Sequence, residues 1–139
     1  MAHLIPYLAF DGDCREAMKF YESCFGGKLE LMGFGDAPPG ACQGNAAKVD
    51  KNRVMHARLE NGKFMLMASD TMPGNKLTRG DNHQINVNCD SIAEIEKLFK
   101  AVGAGGKVVV ELQDMFWGAR FGMVVDKFGT HWMFNCEKK

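Results

Sequence analysis

His56 stands in the run VMHARLE with Val54 and Arg58 as its alternation partners, leaving Met55, Ala57 and Leu59 for the opposite side of a strand. A histidine so placed can act as general acid or base, or it is simply a hydrogen-bonded strand residue. His3, His56, His83 and His131 are the only histidines, and all fall on or beside stretches that read as strands. Asp70 closes the run KFMLMASD and opens DTMPGNKLTRGDN, a position where a carboxylate accepts bonds from backbone N–H groups of a turn. Gln84, Asn86 and Asn88 form an alternating stripe of amides. Facing a cavity they would orient a polar ligand; on an open sheet they would only be wetted. Phe116-Trp117-Gly118 offers a flat apolar wall to a ligand, or a tryptophan for a core or a dimer interface. Trp132 alternates with Phe134 and Cys136 and reads as core. There is no G-x-S-x-G, and no cysteine is spaced to a histidine as a nucleophile would be.

The elements that must position these residues occur twice. Residues 6–31 read PYLAFDGDCREAMKFYESCFGGKLEL and residues 83–110 read HQINVNCDSIAEIEKLFKAVGAGGKVVV. In each, a short apolar stretch runs into an aspartate, an amphipathic segment follows, and a Gly-Gly pair precedes a lysine and a second apolar run. Cys14, Ala17, Met18, Tyr21, Cys24 and Phe25 make one helical stripe, and Ile92, Ile95, Leu98, Phe99 and Val102 the other. Asp13 with Glu16, and Ser91 with Glu94, read as capping boxes. Gly26-Gly27 and Gly105-Gly106 end the helices. Pro6 donates no ladder bond and places the first strand at an edge. Asn61-Gly62 joins strands 53–60 and 63–69, and a turn near Phe128-Gly129 joins 121–125 and 130–136. Residues 35–48 form a loop that, with Phe34, could act as a lid. The predicted fold class is α+β: two βαβββ modules, about 1–70 and 83–139, joined by a linker over 71–82 within one domain.

With 139 residues and zero net charge, the chain has no basic cluster beyond Lys138-Lys139, which argues against a nucleic-acid partner. No apolar run reaches the ~20 residues of a membrane span, and the N-terminus lacks a basic-then-apolar signal pattern. The five cysteines make an odd set without C-x-x-C; four lie on apolar faces, and Cys42, in a polar loop, is the one expected to be exposed. A reducing, cytoplasmic location is expected.

The repeat, together with PYLAFDGDCREAMKFY, MHARLENGKFMLMASD, MFWG and DKFGTHWMFN, resembles the PhnB-like branch of the glyoxalase/bleomycin-resistance/extradiol-dioxygenase (vicinal oxygen chelate) superfamily. The resemblance implies paired modules whose sheets curl into a cup, with helices outside, in a homodimer. In its metalloenzymes four ligands project from the first and last strand of each module. Carried over, those positions are Ile5 or Tyr7, Leu66 or Met67, Gln84, and Met133. None is a histidine or carboxylate, so the usual divalent metal site is not expected, and no cofactor is implied. His83 is next to Gln84, but one residue along a strand faces the other way. PhnB-like relatives are sometimes labelled ubiquinone-pathway methyltransferases, yet the chain has no G-x-G-x-x-G turn.

Two functions follow. One is a small-molecule binder holding a hydrophobic or aromatic ligand in the inter-module cup, walled by Tyr7, His56, Met67, Gln84 and Trp117, with Phe34 at the mouth. The other is a glyoxalase- or dioxygenase-type isomerase, lyase or oxidoreductase using a rearranged metal site or acid–base chemistry at His56. Whether a reaction is catalysed stays open at this point.

Overall fold

The computed structural model describes residues 2–34, 52–72 and 74–137. It divides into two compact units, Met1–Thr78 and Arg79–Lys139. The first runs β1 (Tyr7–Phe10), α1 (Cys14–Phe25), β2 (Lys28–Gly33), β3 (Val54–Asn61) and β4 (Phe64–Asp70). The second runs β5 (Ile85–Asn88), α2 (Ile92–Gly103), β6 (Lys107–Asp114), β7 (Ala119–Val125) and β8 (His131–Glu137). The strand orders are β1-β4-β3-β2 and β5-β8-β7-β6, so the repeat read from the sequence is a repeat of topology. In each four-stranded mixed sheet the first strand pairs in parallel with the last and the other pairs are antiparallel. This is the expected α+β architecture of two βαβββ modules. The 35–48 loop, with Cys42, lies outside the described residues.

Each helix buries its apolar stripe against its own sheet. Cys14, Ala17, Met18, Tyr21 and Cys24 of α1 are buried, as are Ile95, Phe99 and Val102 of α2. Opposite them lie Ala57, Leu59, Leu66 and Ala68 in the first unit, and Val124, Trp132, Phe134 and Cys136 in the second. Burying a side chain the size of Met or Ile contributes about 1.5–3 kcal/mol, so these stripes dominate the stability of each unit. Edge-to-face aromatic pairs reinforce both cores: Phe25 on Phe64 at 5.6 Å and Phe99 on Phe134 at 5.8 Å.

The repeated Gly-Gly pair has a steric cause. A Cβ on Gly27 (φ 103°) would lie 2.7 Å from the Glu60 carbonyl oxygen, and one on Gly106 would strike the carbonyl oxygen of Val125. Both carbonyls sit at the end of the strand that enters the final hairpin. In each unit the chain leaving the helix passes directly against that hairpin, and only glycine leaves room.

Two expectations change. Asp13 occupies the N-cap of α1, but its side chain makes no capping bond, so Asp13 and Glu16 form no box. Asp70 replaces it: its carboxylate accepts from the backbone N–H of Gly12 (2.7 Å), Cys14 (3.1 Å) and Val54 (2.8 Å). The second box is present in a shifted form: Ser91 Oγ accepts from Glu94 N, and the Glu94 carboxylate accepts from the N–H of Asp90, one residue before the N-cap. The other change is at Met55. Gly33 pairs with Val54 and Met32 with His56, so β3 holds one extra residue there, a bulge. Val54, rather than Met55, is therefore buried beside Ala57 and Leu59.

Candidate functional site

In each unit the sheet residues that alternate with the buried ones form a face that, among the described residues, carries no helix. In the first unit Tyr7, Met67, Arg58 and Glu30 are successive register partners across all four strands. The next row places Ala9 opposite Ser69 and His56 opposite Met32. Tyr7 is 53% exposed and its ring lies 6.1 Å from that of His56. One half of this face is thus aromatic and thioether. The other half is ionic: Arg58 bonds Glu30 at 3.2 Å and lies 3.6 Å from Glu60, and Lys28 lies 3.5 Å from Glu30. Sequence reasoning singled out His56 but missed this ion-pair patch, although Arg58 stands two residues along the same strand.

In the second unit one row reads Asn88, Asn135, Phe121, Gln113, and the next Asn86, Met133, Met123, Val110. None of these eight side chains is charged. Trp117 lies in the turn between β6 and β7, 55% exposed, with its ring 5.0 Å from Phe116 and 6.4 Å from Phe121. A core position for Trp117 is excluded. Trp132 is the buried tryptophan, its indole N–H donating to Asp126 at 2.8 Å.

The six expected ligand-binding residues fall into separate groups. Tyr7, His56 and Met67 share the helix-free face of the first sheet. Phe34 is half-buried just beyond β2, its N–H bonded to the Arg53 carbonyl at 3.0 Å. Gln84 is exposed one residue before β5, whereas Trp117 lies by β6 and β7, with β8 and β7 intervening in the sheet order. His83 also precedes β5 and contacts the Asn82 side-chain oxygen Oδ1 through Nδ1 at 3.1 Å. Sequence reasoning missed Asn135 and Phe121, which become neighbours only through the pairing of β8 with β7.

The metal positions can be tested on chemistry. Leu66 is buried on the helix side, so Met67 is the residue of that pair on the free face. Tyr7 and Met67 in one unit, and Gln84 and Met133 in the other, are a phenol, two thioethers and a carboxamide. Divalent zinc, nickel or iron selects imidazole, carboxylate or thiolate, and this set does not fit. Among the described residues no three His, Cys, Asp or Glu side chains gather as ligands.

Two of the described cysteines, Cys14 and Cys89, are also poor nucleophiles. Burial, and then the charges of Asp70 and Asp13, push the Cys14 thiol up to about 12. Burial, then Glu94 and Cys136, push Cys89 up to about 12. Both stay protonated, and the thiolate is the reactive form. Asp70 itself is 4% exposed and fully engaged with backbone, which makes it a structural residue.

Residues 2–134 match the family described as the Glyoxalase/Bleomycin resistance protein/Dioxygenase superfamily. The chain belongs to that superfamily. It is 30% identical to protein YjdN of Escherichia coli K12, over 98% of this chain and 96% of that one. Among solved structures, protein PA1353 from Pseudomonas aeruginosa is 43% identical, with a TM-score of 0.87 over 100% of both chains. A PhnB protein from Bacillus cereus shares the fold at 21% identity, with a TM-score of 0.73 over 97% of this chain and 99% of that one. PhnB-like proteins are thus among this superfamily member's structural neighbours. No described helix is long and apolar enough to cross a membrane.

Proposed function

We propose that this superfamily member binds a small hydrophobic or aromatic molecule against its helix-free sheet faces, without the superfamily's usual metal, as a cytoplasmic homodimer. The observation that carries this reading is exposed aromatic surface on the helix-free faces: Tyr7 beside Met67 in one unit, Trp117 against Phe121 in the other. Aromatic contacts of this kind contribute about 1 kcal/mol beyond the area they bury. His56 on the first unit and Gln84 on the second would each offer a polar contact within its own unit.

One observation favours a second reading, acid–base catalysis. His56 is half-buried beside the Tyr7 ring, with Arg58 on the same strand face. A substrate bound over Tyr7 would meet an imidazole able to move a proton.

The test is a titration with 2-ethylnaphthalene, followed through the indole N–H signals of the two tryptophans. The exposed Trp117 signal should shift while that of Trp132 stays put. Trp117→Ala, its binding read by calorimetry, should weaken binding roughly tenfold, a loss of about 1.4 kcal/mol, and leave the fold intact. Absence of any Trp117 shift, or unchanged affinity in a folded Trp117→Ala, would overturn the proposal. Sedimentation at micromolar concentration checks the dimer, for which a monomer is the contrary result.

A further inference from the structure

The amide row of the second unit narrows the chemistry of the ligand. Asn88, Asn135, Phe121 and Gln113 are register partners across β5, β8, β7 and β6. Asn88 is already oriented: Asn86 Nδ2 donates to its Oδ1 at 2.9 Å, which leaves the Asn88 NH2 as the outward donor. Asn135, in the middle of the row, is half-buried, and among the described residues no hydrogen bond reaches its side-chain amide. Its amide is open to a bound group, with no protein partner to compete for it. It offers a donor and an acceptor together. Beside it stand the Phe121 ring and, in edge contact with that ring, Trp117. The row and its Met133, Met123 neighbour row contain no charged side chain, so nothing on them compensates a carboxylate or an ammonium.

We propose that this face selects neutral flat molecules bearing an amide, or an equivalent donor–acceptor pair, on an aromatic ring. The ring lies over Phe121 against Trp117. Its substituent reaches Asn135 on the adjoining strand, roughly 5 Å away, with Asn88 one strand further. This rests on the proposed function and specifies its ligand class.

Three probes share one ring: 2-naphthamide, 2-naphthoate and 2-ethylnaphthalene, each titrated while the Trp117 indole signal is followed. The amide should bind at least tenfold more tightly than either of the others. In Asn135→Leu that preference should vanish, 2-naphthamide falling to within about twofold of 2-ethylnaphthalene, whose own affinity is kept. Asn135→Ser serves the same purpose if the leucine variant does not fold, and Phe121→Leu should weaken all three probes together. Equal binding of amide and hydrocarbon, stronger binding of the naphthoate, or a preference that survives loss of Asn135 overturns the amide reading while leaving aromatic binding intact. Failure of all three probes to bind removes the proposed function and this inference together.

Discussion

In the first unit the N-terminus of α1 is tied to its sheet by a carboxylate from a distant strand, whereas in the second α2 is capped by its own residues. Leu66, Ala68 and Asp70 alternate inward along β4 as Trp132, Phe134 and Cys136 do along β8, so Cys136 stands where Asp70 does. Asp70 joins Gly12 and Cys14 at the helix entrance to Val54 at the start of β3. In the second unit that work is local, shared by Ser91 and Glu94. One topology thus tolerates two anchoring chemistries, provided the orphan N–H groups of the helix end find acceptors. The free faces diverge in the same way, one mixing His56 with ion pairs and the other carrying uncharged amides. The fold is duplicated while its polar groups are not.

That contrast can be broken by mutation. Asp70→Ala should be the most damaging change, because it leaves buried backbone donors without acceptors at both a helix end and a strand start. A loss of about 3–5 kcal/mol is expected in denaturant unfolding. A loss below 1 kcal/mol would show that α1 does not depend on Asp70. Gly122→Ala should come next, since a Cβ there would lie 2.6 Å from Cε2 of Phe99. Overpacking of this kind costs about 1–3 kcal/mol. Ser91→Ala should cost only about 1 kcal/mol, the ordinary value of an N-cap. If Ser91→Ala equals Asp70→Ala, the distinction between remote and local anchoring fails.

A further effect is in alkali. Cys14 and Cys89 are raised from 9.0 to about 12 in the folded protein. A raised thiol contributes stability that is complete below its unfolded pKa near 9 and is lost as pH rises towards 12. Unfolding free energy should therefore decline from pH 9 upwards, with a shallower slope in Cys14→Ala and in Cys89→Ala. An unchanged slope in both variants contradicts the assignment.

Signals confined to a short window were legible in the sequence: both helical stripes, both Gly-Gly stops, the Asn61-Gly62 hairpin and the edge position implied by Pro6. What failed depended on pairing across strands. The Asp13/Glu16 box satisfied its local pattern, yet the acceptor that binds Gly12 lies 58 residues away. The bulge at Met55 is set by the register of β3 against β2, so strict alternation placed the wrong residue inward. Asn135 escaped notice because it becomes distinctive only between Asn88 and Phe121, its partners on two different strands.

The most direct test of metal-independent ligand binding is the affinity for 2-ethylnaphthalene, read from the Trp117 indole signal after EDTA treatment and again after adding zinc. The account expects the same affinity in both states, with an unchanged melting temperature, because a metal held only by the folded state would raise it. Binding that disappears with EDTA and returns with one equivalent of zinc would contradict it.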